Sequence, residues 1–187
     1  MTSEIKIRAI PDIAQVHTHI VDIYRTVFAL PPYSEPPEMA AAFRQRLLDE
    51  HARRDGFRFL VALHDSRMIG FAYGYHSAPG QFWHDNVREA LDQNVAADWM
   101  EDAFEFVELA VLPNYQGSGT GSRLQEELLH DLPERTAIAT TVRDDNPALG
   151  FYLRRGWKPL RDDFYFPGVE IPQVIIGRRL HPAPTAS

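Results

Sequence analysis

The chain contains no cysteine in its 187 residues. Disulfides, thiolate zinc sites and a thioester carried on the protein are therefore excluded, so any group transfer uses another nucleophile or goes directly from donor to acceptor. Long apolar runs are missing as well. No uncharged stretch approaches the roughly 20 residues that cross a bilayer, and the opening MTSEIKIRAIP lacks a signal-peptide hydrophobic region. A soluble, cytoplasmic protein without a membrane partner is expected. Positive charge is in deficit, 19 Lys and Arg against 26 Asp and Glu for a net −7. This argues against nucleic acid, whose phosphates call for clustered cations. The doublets Arg53-Arg54, Arg154-Arg155 and Arg178-Arg179 read as solvated faces or helix ends. His17 and His19 lie two apart on a helix and diverge, and no H-E-x-x-H occurs, so metal independence is expected.

Hydrophobic residues make up 44% of the chain, enough for one well-buried core. The length predicts one domain, 1–180, followed by a flexible tail, 181–187. EIKIRAI alternates and meets Pro11, as a short strand would. From Pro11 or Asp12 the apolar residues Ile13, Val16, Ile20, Ile23 and Val27 recur at helical spacing. The four prolines of ALPPYSEPPE then force a stiff loop, and a second helix runs from about Glu38 to Arg54. FRFLVALHD and RMIGFAYGYH, joined by a short turn, read as a hairpin with Phe57, Phe59, Val61 and Leu63 on one face. Residues 79–101 predict a helical insertion carrying Trp83, Val87, Leu91 and Val95 at a spacing of four. AFEFVELAVL follows as a buried strand, SRLQEELLHDL as a helix stopped by Pro133, and RTAIATTV as a strand. NPALGFYLRRG has a cap at Asn146 or Asp145, Pro147 in the first turn and Gly156 past the last. WKPL, FYF and QVIIGRRL end the chain, the last two as hairpin strands around Pro167-Gly168. Strands and helices alternating around one mixed sheet define an α/β (α+β) domain.

Three of the eleven glycines, Gly117, Gly119 and Gly121, fall within five positions between a strand and a helix. A glycine turn there aims free backbone N–H groups and the positive end of a helix dipole at one spot, and such a spot suits an anion. Glycine lets the anion approach the backbone and supplies positive φ. No Lys follows these glycines, so a Walker A loop is absent. A dinucleotide fingerprint would lie near the first strand and would need glycine at position 122, which is Ser.

Gln116-Gly117-Ser118-Gly119-Thr120-Gly121 matches Q/R-x-x-G-x-G/A, and about 30 residues later NPALGFYLRRGW supplies an Asn and an Ala before a Tyr and a Gly-aromatic pair. Together they resemble the coenzyme A loop and the second motif of the GNAT N-acetyltransferase superfamily, as does the order strand, two helices, hairpin, strand ahead of the loop. The resemblance covers nearly the whole chain. It implies a single-domain GNAT fold with a mixed, mostly antiparallel sheet. The implied activity is N-acetyl transfer from acetyl-CoA, by direct attack of a primary amine in a ternary complex. A GNAT-fold module that binds acyl-CoA without catalysis is the alternative, and an oxidoreductase a distant third.

The resemblance places the coenzyme diphosphate on the amides of Gln116, Gly117, Ser118, Gly119, Thr120, Gly121 and Ser122. The pantetheine arm would lie on the main chain of Leu109 and Val111 as an added strand. Tyr152 matches the residue that protonates the coenzyme sulfur; beside Leu149 and Phe151 it also reads as a core aromatic. Glu105 and Glu108 are carboxylates on an apolar strand, costly unless paired or facing a cleft. Three apart, they face opposite sides of a regular strand. Glu105 matches a catalytic glutamate of some relatives and ranks first as base, Glu108 second; other relatives use only water. Asn146 lies six residues before Tyr152, where the family commonly has seven, so coenzyme contact and helix capping both stay open. The roof of the acceptor site would come from Tyr33, Ser34 and Glu35 and from the stretch with Trp83 and His84. Trp83 shares a helical spacing with Val87 and Leu91 and reads also as core, His84 by default as a surface residue. A small-molecule or peptide amine is the implied acceptor; oligomeric state, a homodimer included, is left open.

Overall fold

The computed structural model describes residues 4–144 and 146–181. Asp145 and most of the expected flexible tail lie outside the described residues. In chain order the elements are β1 (Lys6–Ala9), α1 (His17–Phe28), α2 (Glu38–Asp49), β2 (Arg58–His64), β3 (Arg67–Ser77), α3 (Phe82–Ala90), α4 (Gln93–Met100), β4 (Ala103–Val111), α5 (Thr120–Leu129), β5 (Thr136–Val142), α6 (Pro147–Leu153), β6 (Lys158–Phe164) and β7 (Gln173–Arg179). The strands form a sheet in the order β1-β2-β3-β4-β5-β7-β6. β4 and β5 run parallel, whereas β1–β2, β2–β3, β5–β7 and β6–β7 run antiparallel. The expected α/β class with a mixed, mostly antiparallel sheet is the one found.

Several boundaries differ from the sequence reading: the second helix ends at Asp49, with a separate 3-10 turn over His51–Arg53, and the helix expected over SRLQEELLHDL begins two residues earlier, at Thr120, and ends at Leu129. The first helix opens as a separate 3-10 turn, Ile13–Gln15, capped by the Asp12 carboxylate on the Ala14 N–H at 3.0 Å, and the α-helix starts only at His17. The insertion at 79–101 is two helices rather than one, because Leu91 and Asp92 are extended, with ψ of 148° and 143°. WKPL and the start of FYF belong to a single strand, β6, whose pairing to β7 slips at Pro159/Arg161 and at Arg161/Phe164. Proline has no N–H for the ladder, so irregularity beside Pro159 is expected.

Contacts gather the chain into two compact units, one drawn from the chain up to Tyr75 together with Val107–His130, the other from His76–Phe106 together with the chain from Asp131 onward. In the first, α1 buries Ile20, Ile23, Tyr24 and Phe28 at helical spacing, and α2 adds Phe43 and Leu47. They meet Phe59 and Val61 of β2 and Phe71 and Tyr73 of β3 in one core. Tyr24 stacks on Phe43 with ring centroids 4.0 Å apart. Removing a phenylalanine from such a core costs about 3–5 kcal/mol. The two-residue turn between β2 and β3 puts Asp65 and Ser66 at φ 48° and 65°, the left-handed pattern that matches strand twist in a tight hairpin.

His51, just past α2, is buried, with Nδ1 3.0 Å from the Tyr73 hydroxyl. Burial, helped by the charges of Arg54 and Arg46, pushes its pKa down to about 3. The unfolded chain therefore takes up a proton near the ordinary value of 6.5 that the folded chain refuses. Stability should fall as pH drops from about 6.5 toward 3, by up to about 1.4 kcal/mol per pH unit. Urea unfolding across this range should show the slope in the wild type and a flatter one in His51→Gln. Equal slopes would mean that the folded protein protonates His51 freely.

In the second unit, Val87 and Leu91 at the end of α3 and Ala96 and Met100 of α4 pack on Ile138 of β5, Ile175 of β7 and Phe164 of β6. Arg179 is ion-paired with Asp98 and lies 4.0 Å over the Trp99 ring; Arg155 lies 3.9 Å over Phe151. Arg54 of the first unit covers Tyr75 at 4.5 Å. One member of each arginine doublet is thus held on an aromatic face.

Candidate active site

After β4 the chain makes a 3-10 turn, Pro113–Tyr115, and reaches the glycines. Gly117 and Gly119 have φ of 73° and 85°, a region L side chains rarely adopt. Gly119 is the left-handed cap of α5. A Cβ placed at either glycine has no protein atom within 4 Å beyond its chain neighbours, and Gln116 to Gly119 are exposed. The turn is open rather than folded against the protein. Side chains brace it from behind: the Gln116 amide donates to the Val111 carbonyl at 2.9 Å, and the Ser118 hydroxyl donates to the Tyr115 carbonyl at 2.6 Å and lies 2.8 Å from that of Thr120. The Arg123 N–H donates to the Gly119 carbonyl, so the amides of Thr120, Gly121 and Ser122 precede the first helical bond; Thr120 is buried, while Gly121 and Ser122 keep partial exposure at the mouth of the helix. Leu124, Leu128 and Leu129 anchor α5 on its buried face. Donor groups, open approach and dipole fit a diphosphate.

Leu109 and Val111 lie on β4 past Glu105, the last residue of the short ladder with β5, Ala103↔Thr136 to Glu105↔Ile138. Strict alternation fails on this strand, since Val107 and Ala110, three apart, pack into the same core. Glu105 is buried at 3% exposure. Glu108 keeps partial solvent access, yet protein packed around its carboxyl raises its pKa to about 8; Glu35 pushes the same way and Arg46 opposes.

The sequence reading missed the company Glu108 keeps. Tyr24 of α1 donates its hydroxyl to Glu35 Oε2 at 2.7 Å, tying the proline-rich loop to the helix, and the Glu35 N–H donates to the Phe28 carbonyl at 2.8 Å. Burial, then the charge of Glu108, then Glu35 raise the Tyr24 phenol far above its ordinary value. Tyr33, in the same loop, sets its ring edge-on to Phe28 at 4.9 Å. Tyr24 sits at i, i+4 with Ile20 and Phe28 and so reads as core; only the packed helices reveal its polar end.

In the second unit, Tyr152 of α6 is buried in an aromatic cage, edge-on to Phe106, Phe151 and Trp157 at 5.9, 5.2 and 5.4 Å. Asn146 caps α6 through its Oδ1 on the Ala148 N–H at 2.9 Å, while its Nδ2 donates to Thr141 Oγ1 and the Val142 carbonyl. Capping is therefore what its side chain does here. Trp83 is half-buried and donates its indole N–H to Thr140 Oγ1 at 3.2 Å. His84 corrects the expectation of a surface residue: it is 2% exposed, with Nδ1 2.9 Å from Ser77 Oγ. Burial lowers its pKa. Its place three residues before Val87 and seven before Leu91, on the apolar stripe of α3, was the signal for this.

The profile of the acetyltransferase (GNAT) family matches residues 18–157. The chain belongs to the GNAT acetyltransferase family. A curated relative, the GCN5-like protein acetyltransferase Rv2170 of Mycobacterium tuberculosis, is 34% identical over 126 residues, covering 63% of this chain; the chain spans 61% of that relative. Among solved structures, the PaiA N-acetyltransferase of Thermoplasma acidophilum in complex with coenzyme A superposes with a TM-score of 0.66 at 17% identity, covering 94% of this chain and 99% of that one. The ribosomal-protein-S18-alanine N-acetyltransferase of Escherichia coli gives 0.63 at 15%, covering 98% and 99%. At these identities the likeness is one of fold. Acetyl transfer from acetyl-CoA is the general reaction of the GNAT family. Among the described residues no group of His, Asp and Glu is arranged to hold a metal ion, and no helix is long and apolar enough to cross a membrane.

Proposed function

We propose that the protein is an N-acetyltransferase that moves the acetyl group of acetyl-CoA directly onto a primary amine in a ternary complex. The observation that carries this reading is the exposed glycine turn at the mouth of α5, where left-handed Gly117 and Gly119 leave the amides open to a diphosphate. Leu109 and Val111 would line the pantetheine arm through their main chain. The Val111 carbonyl already takes one bond from Gln116, so Leu109 would contribute more.

Glu108 is assigned as the base ahead of Glu105. Its support is chemical: a carboxyl with a pKa of about 8 holds a proton more tightly than an ordinary carboxylate, so it is matched to taking one from an ammonium nitrogen near neutral pH. The nitrogen attacks the thioester carbon, the C–N bond forms and the C–S bond breaks. The nitrogen's proton goes to Glu108, and the Tyr152 phenol gives its proton to the departing sulfur. The Phe106, Phe151 and Trp157 cage would hold that phenol in one orientation.

Tyr152→Phe keeps the ring contacts and removes only the proton donor. It should lower kcat about 10²-fold or more, with acetyl-CoA affinity by calorimetry nearly unchanged. Unchanged turnover would take Tyr152 out of the chemistry. The reading as a whole is tested by coenzyme A release over a broad amine panel: tight acetyl-CoA binding without turnover on any amine would favour a non-catalytic acyl-CoA-binding module.

A further inference from the structure

The 3-10 turn Pro113–Tyr115, which leads into the glycines, is fastened to the β2–β3 hairpin at both of its ends. At the front, the Leu112 N–H donates to the Ile69 carbonyl of β3 at 2.8 Å. At the back, the Tyr115 hydroxyl shares a hydrogen bond of 3.3 Å with Nδ1 of His64, and the two rings lie 5.3 Å apart, tilted by 58°. The Asp65 carboxylate, 3.9 Å from the same nitrogen, is beyond hydrogen-bond reach and leaves it to Tyr115. His64 is the last residue of β2, opposite Arg67 of β3 and just before the left-handed Asp65 and Ser66. Its backbone is therefore held by a ladder and a two-residue turn, the tightest connection two strands can have. Neither His64 nor Tyr115 takes part in the chemistry assigned to Glu108 and Tyr152.

The glycine turn has need of such an attachment. Gly117 and Gly119 allow its left-handed bends, but the freedom that allows them also lets the chain leave them. Beyond chain neighbours, no protein atom lies within 4 Å of a Cβ placed at either, so no packing there holds the shape. Part of the hold comes from Tyr115 instead. Its N–H donates to the Leu112 carbonyl at 2.8 Å, and its own carbonyl accepts the Ser118 hydroxyl at 2.6 Å. Rotation of Tyr115 would swing that carbonyl away and release Ser118. A single attachment at Leu112 would leave a pivot, and the second, at His64, removes it. A turn already in its binding shape spares the ligand the cost of ordering it.

We propose that His64 and Tyr115 are positioning residues for the coenzyme, a strut from the β2–β3 hairpin that keeps the glycine turn in the shape that receives the diphosphate. The strut rests on the acetyl-CoA reading of that turn given above.

The test is calorimetry with acetyl-CoA on the whole chain. Tyr115→Phe keeps the ring contact and loses only the hydroxyl; His64→Leu loses the ring nitrogen. Each should bind about fivefold more weakly, the worth of one ordinary hydrogen bond. The double variant should lose no more than either alone, because both remove the same link. His64→Asn, whose amide can stand where Nδ1 stood, should stay within about twofold of the wild type. Melting temperatures without ligand should move by about 3 °C or less, which separates positioning from general damage. In turnover, KM for acetyl-CoA should rise about fivefold at unchanged kcat. With S-acetylpantetheine, which has the thioester and the arm but no diphosphate, kcat/KM should stay at the wild-type value. Undiminished acetyl-CoA affinity in Tyr115→Phe and His64→Leu, losses that multiply in the double variant, or a parallel loss on S-acetylpantetheine would overturn the strut. Gly119→Val in the same series keeps the two readings apart: weaker binding in it alone would bring down only the strut, whereas full affinity in all the variants would bring down the coenzyme site as well. If no amine is acetylated, the calorimetry still decides the strut.

Discussion

Glu108→Gln should lower kcat by about 10² to 10⁴, the span over which one general base contributes. The amide keeps the shape of the side chain and cannot accept the proton. The stronger signature is in the pH profile. A base with a pKa of about 8 is mostly protonated at neutral pH, so wild-type kcat/KM should rise about tenfold per pH unit below 8 and level off above it. Glu108→Gln should abolish that rise, and Glu35→Gln, by removing the neighbouring charge, should move it to lower pH. Arg46 acts in the opposite sense, so Arg46→Gln should move it to higher pH. A wild-type profile flat through pH 8, or a rise that survives in Glu108→Gln, would pass the role to Glu105 or to water.

Gly119→Val should weaken acetyl-CoA binding by a few kcal/mol, and the structure separates two contributions. Apart from its chain neighbours, no protein atom lies within 4 Å of a Cβ placed there, so the added carbon meets open space in the free protein. It does suffer strain, since a β-branched residue at φ 85° costs about 1–3 kcal/mol. That part should appear as a lower melting temperature without ligand. The remainder should appear only in calorimetry with acetyl-CoA, as lost close approach of the diphosphate and misdirected amides. Gly119→Ala should carry less of both. A folded Gly119→Val protein with undiminished affinity would place the diphosphate elsewhere and remove the main support for the enzymatic reading.

The chemistry of the glycine turn was legible because it is local: spacing, φ demands and the start of a helix all lie within seven residues. The same holds for α6, whose Asn146 cap, Pro147 and left-handed Gly156 (φ 81°) are read directly from its ends. Glu108 was harder. Nothing in the apolar run of β4 tells that Glu108, rather than Glu105, has Glu35 and Arg46 for neighbours. The pKa of Glu108 depends first on the protein packed around its carboxyl and then on Glu35 and Arg46, distant in sequence and brought near by the packing of α1, the proline loop and α2. His84 failed for another reason: a polar residue type outweighed a helical position that pointed inward. Strand β6 was split in two because the charged run Arg161-Asp162-Asp163 separates WKPL from FYF, although β7 holds it as one strand.

Two groups that the fold keeps from charging, the buried His51 and the closely packed Glu108, set a tension between durability and work. His51, neutral inside and with a pKa near 3, makes the fold resist acid less well below about pH 6.5. Glu108, with a folded pKa near 8 against 4.5 when exposed, does the reverse: its contribution is complete below about pH 4.5 and drains away as pH climbs to 8. Between them they place the sturdiest state in mildly acidic solution. The ionised carboxylate assigned to the reaction is the form this fold tolerates least, so the conditions that favour turnover are those in which the folded chain gives up part of its margin.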